Sequence, residues 1–303
     1  MRVAVLMGGW SPEREVSLVS GRACANGLRE AGYDVNEIEV SRDLRALIDA
    51  LTPAPDVVFN GLHGKYGEDG CIQGVLEYLA LPYTHSGVLA SAVAMDKPMA
   101  KHIFAAHGLR CPEGIVLDRK ALAGGDPIPR PYVVKPVDQG SSVGVHIVRQ
   151  GDNAMPADDD WPYGDQVLVE RFIPGRELTV AVLGSRALGV TELRPRTRFY
   201  DYEAKYTDGV TEHLIPAPIP AEVYEKAKEW ALMAHQALGC TGLSRADLRW
   251  DDSKPGTEGL VVLELNTQPG MTPLSLAPEQ AKWAGISWSE LMTWMVDHAR
   301  RPA

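Results

Sequence analysis

Sulfur is scarce and scattered in this chain. Its four cysteines, Cys24, Cys71, Cys111 and Cys240, stand far apart with no C-x-x-C pair. Neither a zinc site nor a dithiol redox motif is suggested. Free thiols in a reducing compartment are the expectation. Long apolar runs are also missing. No segment approaches the roughly 20 residues that a membrane-spanning helix needs. The run from Val3 to Met7 is too short for a signal peptide. Positive charge is in deficit: 30 Lys and Arg face 40 Asp and Glu, for a net charge of −10. That balance speaks against a basic duplex-binding face, while leaving room for a local basic pocket. There is no internal repeat, and the glycines and prolines are too dispersed for a low-complexity chain. What remains is a globular chain of 303 residues, long enough for two or three domains. A soluble cytoplasmic protein that binds neither nucleic acid nor membrane is expected.

The hydrophobic pattern organises the chain. Val3 to Met7 reads as a buried strand running into Gly8-Gly9. Ser11-Pro12 then offers a helix N-cap and first-turn proline, and Gly32 a helix stop. Further strands are expected at Val35 to Val40 and Asp56 to Gly61, with a helix from Cys71 to Leu79. This alternation predicts a parallel α/β layer over about residues 1–94. A helix at Met95 to His107 and short strands at 114–117, 132–135, 143–148 and 166–170 predict a small α+β domain over 95–181. In the remaining 182–303, strands are expected at 178–183, 187–193, 246–250 and 260–265, and a helix at 221–238. Ser287 and Glu290 spell a capping box for a last helix. The stretch Arg194 to Glu212 has little apolar periodicity, and such long loops tend to be functional or disordered.

Several residues are candidates for chemistry. Gly140-Ser141-Ser142-Val143-Gly144 can cradle an anion with backbone N–H groups, or simply turn a hairpin. Lys135 ends a strand beside it, and Lys97 follows Met95-Asp96. Either lysine suits phosphate or open solvent. Glu264 and Asn266 share one strand face, and Asp247 lies on the preceding strand. Three such oxygens suit Mg2+ bridging nucleotide phosphates, and equally suit polar strand ends. Arg245 shares Asp247's face and can serve an oxyanion or a salt bridge. Glu13 and His63 follow strands of the first layer, where open α/β sheets place ligands, though a first-turn Glu is favoured by the helix dipole in any case and His63 equally suits a satisfied loop histidine.

Taken in order, several segments resemble the D-alanine–D-alanine ligase family. They are Gly8-Gly9-Trp10-Ser11-Pro12-Glu13-Arg14-Glu15-Val16-Ser17, His63-Gly64 with Gly67-Glu68-Asp69-Gly70, and Met95-Asp96-Lys97. The Gly140–Gly144 loop, Phe199 to Tyr206, and Glu264 to Ser275 complete the set. The resemblance spans almost the whole chain. It implies a three-domain ATP-grasp fold that combines α/β and α+β parts. It also implies ATP-dependent joining of two D-alanines through a D-alanyl phosphate, for peptidoglycan precursors.

The resemblance implies roles as well. Glu13 would take the first D-alanine's ammonium, with Ser17 and His63 nearby. Lys97, Lys135 and Lys205 would contact ATP phosphates. Glu170 would lie at the adenine, Glu177 at the ribose, and Phe172 and Ile173 would wall the pocket. Asp247, Glu264 and Asn266 would hold two Mg2+, with Mn2+ as a substitute; the resemblance also leaves room for a monovalent cation. Arg245 and the Gly270 N–H would form the oxyanion hole. Ser275 and Leu276 would take the second D-alanine's carboxylate. Ser141 and Tyr206 would tie a lid, about residues 194–212, to Glu13. Tyr206 goes with an amine rather than D-lactate as second substrate, and the assembly implied is a homodimer. Ser244 and Gln139 depart from the family pattern, which more often has Gly and Glu there. A different carboxylate–amine ligase would share the nucleotide half, whereas Glu13, His63, Ser275 and Leu276 match the amino-acid half. A non-catalytic nucleotide-binding module would lack a metal ligand or Arg245, and all four positions are filled.

Overall fold

The computed structural model describes residues 1–140, 144–152, 161–195 and 211–302. Strands β1 (Arg2–Gly8), β2 (Asp34–Val40) and β3 (Val57–Asn60) form a parallel sheet in the order β2-β1-β3. Val3 to Met7 is buried throughout, as an interior parallel strand must be. Helices α1 (Arg14–Glu30), α2 (Leu44–Ala50) and α3 (Cys71–Tyr78) accompany this sheet. The first helix starts later than Ser11-Pro12 suggests. Its N-cap is Glu13, and the Ser11 hydroxyl sits just before it, accepting the Glu13 N–H at 3.2 Å while donating to the His63 carbonyl at 2.7 Å.

The helix expected at 95–107 is α5 (Lys97–Ala106); α4 (Val88–Met95), just before it, is a helix the sequence reading did not expect. Asp96 divides them and caps α5 by accepting the Met99 N–H at 2.9 Å. A four-stranded antiparallel sheet follows, in the order β4-β7-β5-β6. Its strands are β4 (Gly114–Asp118), β5 (Tyr132–Pro136), β6 (His146–Val148) and β7 (Gln166–Arg171). Alternate residues of β5 and β7 fill its small core with Tyr132, Val134, Val167 and Val169.

The third sheet is antiparallel, in the order β11-β10-β8-β12-β13, with β9 hairpinned onto β8. Its strands are β8 (Arg176–Leu183), β9 (Arg186–Ala187), β10 (Thr191–Pro195), β11 (Thr211–Leu214), β12 (Leu243–Trp250) and β13 (Leu260–Asn266). Helix α6 (Ala221–Ala237) covers one face together with α4 and α5. Trp230, Phe104 and Ala94 meet Val180, Leu248 and Val262 there. Helices α7 (Leu276–Trp283) and α8 (Trp288–Asp297) close the chain. The capping box of α8 is present: Ser287 N–H donates to Glu290 at 2.8 Å, and Glu290 N–H to Ser287 Oγ at 3.3 Å. Met292 and Met295 of α8 share a core with Val3 and Val5 of the first sheet and Leu183 and Leu243 of the third. Packing thus runs on across residues 94/95 and 181/182, and β8 lies wholly in the third sheet from Arg176 onward.

Three buried histidines carry a consequence for stability. His63, His85 and His235 are each pushed down to about 4, chiefly by burial. In the unfolded chain each takes a proton near pH 6.5. Between those values the unfolded state binds more protons, so stability is full above pH 6.5 and falls as pH drops toward 4. Each histidine contributes a slope of about 1.4 kcal/mol per pH unit in that window. Glu68, held well above the usual carboxylate range, contributes the opposite slope over part of it. Denaturant midpoints are therefore expected to drop between pH 7 and pH 5. A flat profile over that range contradicts the assignment.

Candidate active site

Strand β12 carries the charged groups. Its alternation sends Ala246, Leu248 and Trp250 into the core and leaves Arg245, Asp247 and Arg249 on the opposite face. Strand β13 supplies partners through a slip in register. Asp247 pairs with Glu264 but Leu248 with Val262, so Leu263 is the extra residue of a β-bulge. Strict alternation from Val262 would send Glu264 inward. The bulge resets the phase, bringing Glu264 and Asn266 opposite Asp247 and Arg245.

Arg245 grips Asp247 with its whole fork, at 2.8 Å from Nε and 2.8 Å from Nη2. The Thr179 hydroxyl donates to the same carboxylate at 2.7 Å. Lys97, the first residue of α5, lies 3.5 Å from Glu264 and donates to the Gln139 carbonyl. Asn266 Oδ1 accepts the Gln268 N–H at 2.7 Å.

A second charged group lies between α5 and the second sheet. Glu170 sits between Lys135 and Lys101, 2.6 Å from each, and all three are buried. Burial pushes the Glu170 carboxyl up, but the two lysines outweigh it and hold the group below its usual range. Burial likewise pushes Lys135 down, and Glu170 reverses that, leaving Lys135 above its usual value. Burial, then the charge of Lys135, push Lys101 down. Lys101 therefore shares the one carboxylate that would otherwise pair with Lys135 alone. Nearby, Glu177 pairs with Arg249 at 3.2 Å, and Arg249 lies 5.6 Å over the Phe172 ring.

The first sheet contributes from the ends of β1 and β3. Gly64 turns the chain with φ +72°, and a side-chain carbon there would meet Glu13 Oε2 at 2.6 Å and Ser11 Oγ at 3.0 Å. Glycine is required at this point. His63 is held between Ser20 Oγ, 3.1 Å from Nε2, and the Gln268 backbone, and it stays neutral at physiological pH. The Gln268 side chain binds the Leu62 carbonyl and accepts from Asn60 at 2.8 Å. That network ties the segment after β13 to the turn after β3.

These parts enclose two openings. One, about 860 Å³ to its mouth, is lined by Glu13, His63, Glu68, Arg245, Gly270, Ser275 and Leu276 among others. The other, about 840 Å³, is lined by Lys135, Glu170, Phe172, Ile173, Glu177 and Asp247 among others. Lys97 and Glu264 line both, so the two meet there.

Comparison with known proteins agrees along the whole chain. Residues 126–297 match the family model described as D-ala D-ala ligase C-terminus, and residues 44–86 the model described as D-ala D-ala ligase N-terminus. The D-alanine–D-alanine ligase of Parvibaculum lavamentivorans is 58% identical over 98% of this chain and 97% of its own length. That of Rhodospirillum rubrum is 58% identical over 99% of this chain and 98% of its own. The chain belongs to the D-alanine–D-alanine ligase family. A crystal structure of the Bacillus anthracis ligase complexed with ATP superposes with a TM-score of 0.80 at 33% identity, covering 98% of this chain and 96% of that one. The fold is the ATP-grasp fold of this ligase family.

With the family named, the expected site residues can be placed. Fifteen positions line the two openings: Glu13, His63, Lys97, Lys135, Glu170, Phe172, Ile173, Glu177, Arg245, Asp247, Glu264, Asn266, Gly270, Ser275 and Leu276. Ser17 does not line either opening. It is fully buried, accepting the Gly8 N–H at 2.9 Å and donating to the Gly61 carbonyl at 2.7 Å, and so clasps β1 to the end of β3. Ser141, Lys205 and Tyr206, and most of the 194–212 stretch, lie outside the described residues. The structure adds residues given no role by the sequence: Glu68 and Gln268, which lie within the family-like segments, and Lys101, Thr179 and Arg249, which do not. Of these, Lys101 carried a signal, being one turn beyond Lys97 on the same helix face. No helix among the described residues is long and apolar enough to cross a membrane.

Proposed function

We infer that this chain joins two D-alanines to D-alanyl-D-alanine with conversion of ATP to ADP and phosphate. The observation that carries the reading is the junction at Lys97 and Glu264. There an opening lined by ammonium- and carboxylate-binding groups meets one lined by a buried lysine and aromatic and aliphatic walls. A carboxylate acylates poorly because oxide is its leaving group. Phosphoryl transfer to the first D-alanine carboxylate converts that oxygen into a good leaving group, and the second amine then displaces phosphate.

The chain's residues supply the steps. Lys97 and Lys135, with Lys205 as a further candidate, neutralise the phosphates. Glu13 pairs with the first ammonium. Arg245 and the Gly270 N–H face the oxyanion of the tetrahedral intermediate. Ser275, N-cap of α7, and the first-turn N–H of Leu276 receive the second carboxylate at the positive end of that helix. Glu170 through Glu177 line the nucleotide side. Water must be kept out, or the acyl phosphate hydrolyses. The 194–212 stretch, with Ser141 and Tyr206 as its ties, is the candidate for that role.

The donors at Asp247, Glu264 and Asn266 suit a hard divalent cation. Asp247 and Glu264 face each other across two strands, each already against a cationic side chain, with an amide oxygen from Asn266 beside them. Hard, anionic oxygens of this kind fit Mg2+, or Mn2+ in its place. When bound, Mg2+ supplies charge neutralisation to the phosphates. Among the described residues no cluster of three or more His, Cys, Asp or Glu is arranged as an alternative metal site. A homodimer in the cytoplasm completes the proposal.

Incubation with ATP, Mg2+ and D-alanine tests it. Release of phosphate with a product of the dipeptide's mass is the expected result. ATP hydrolysis without dipeptide contradicts it. With D-lactate added, the amide is expected to remain the main product, and a dominant ester contradicts the Tyr206 assignment.

A further inference from the structure

The first opening contains a second carboxylate that the roles above leave unused. Glu68 follows the His63-Gly64 turn and is 8% exposed, yet it lines the opening beside Glu13. The backbone N–H of Gly64 donates to its carboxylate, and its Oε2 is buried with no hydrogen-bond partner. A buried acceptor left bare is costly unless something arrives to use it. The position where a side-chain carbon on Gly140 would sit is 3.4 Å from Glu68 Oε1 and 3.4 Å from Glu13 Oε2. Both carboxylates therefore border the same residue, Gly140 in the loop after β5.

We propose that Glu68 is the second carboxylate of the subsite that takes the ammonium group of the first α-amino acid, acting with Glu13. The proposal rests on the ligase reading above. Two buried carboxylates side by side cannot both ionise at ordinary cost. Burial, then the charge of Glu13, hold Glu68 well above the usual carboxylate range, against the pull of Gly64 N–H, Lys97 and Arg245. His63, also facing the opening, is neutral and adds no charge. In the free protein burial and the charge of Glu13 favour the protonated form of Glu68. An arriving ammonium supplies the positive charge instead, and that proton passes to solvent. The bare Oε2 is satisfied in the same event. A hydroxy acid brings no cation and leaves the pair protonated, so the subsite selects an amine-bearing acid in first position.

The test compares the full chain with Glu68→Gln. The expected result is a rise of roughly tenfold to a hundredfold in KM for the first D-alanine, the range of one charge-assisted hydrogen bond. KM for ATP stays within about twofold. Tm is expected to rise at pH 8, because the variant no longer has to hold a crowded carboxylate. A residue that merely braces the Gly64 turn gives the opposite sign: Tm falls, and KM for D-alanine and ATP rise together. That pattern, or an unchanged KM for D-alanine, overturns the proposal. Should Glu68→Gln fail to fold, calorimetry of D-alanine binding to the unsubstituted protein decides in two buffers of different ionisation enthalpy. Release of a proton near pH 7 supports displacement of the Glu68 proton by the ammonium, and no release overturns the proposal. An unsubstituted protein that forms no dipeptide at all removes the ligase reading itself, a separately visible failure.

Discussion

Arg245→Ala is expected to lower kcat by about 10²–10³, the usual loss for one oxyanion donor in a water-excluded site. The side chain is aimed before substrate arrives. Its fork is locked to Asp247 at 2.8 Å on both arms, and Thr179 fixes Asp247 from the other side. A donor held in this way needs no reorganisation during the reaction. Arg245→Lys keeps the charge but loses the planar fork, and is expected to recover less than about a tenth of the lost rate. Nucleotide binding should change little, because Lys135 and the adenine-side wall do not involve Arg245. Single-turnover kinetics with separately measured ATP affinity check this. Full activity in either variant removes Arg245 from the oxyanion hole.

Glu170→Gln is expected to destabilise the protein by about 3–5 kcal/mol, the cost of removing one partner from a buried ion pair. Tm should fall by on the order of 10 °C. Lys101 and Lys135 then face each other in the interior with no anion between them. Removing a lysine as well should relieve part of the loss. Lys101→Met with Glu170→Gln is therefore expected to be more stable than Glu170→Gln alone, a coupling that a double-mutant cycle reads directly. ATP affinity should drop in the single variant, because Lys135 loses the group that positions it. Additive effects would mean that the three charges do not act as one network.

The sequence carried the site's chemistry better than its geometry. Glu13, Arg245, Asp247 and Asn266 were legible from residue type and strand spacing, and the apolar run Val3 to Met7 announced the parallel sheet. Other features depended on long-range packing. Ser17 lies within a motif, but its hydroxyl is taken by two backbone groups from different strands. Glu264 and Asn266 share a face by their spacing, but that face meets Asp247 and Arg245 only because a one-residue bulge shifts the phase of β13, and no local pattern shows that bulge. Helix α4 went unexpected, and Asp96 starts α5 two residues later than expected because its side chain accepts a backbone N–H three residues on. Gln268 and Asn60 meet across more than 200 residues, a separation beyond any spacing rule.

Acyl phosphate formation at the junction of the two openings is tested most directly with D-alanine labelled with ¹⁸O in its carboxylate. The amine displaces phosphate by breaking the bond between the carbonyl carbon and the bridging oxygen, so that oxygen leaves with phosphate. One labelled oxygen in each phosphate released is the expected result. Dipeptide formed with unlabelled phosphate would contradict the proposed chemistry at Lys97 and Glu264.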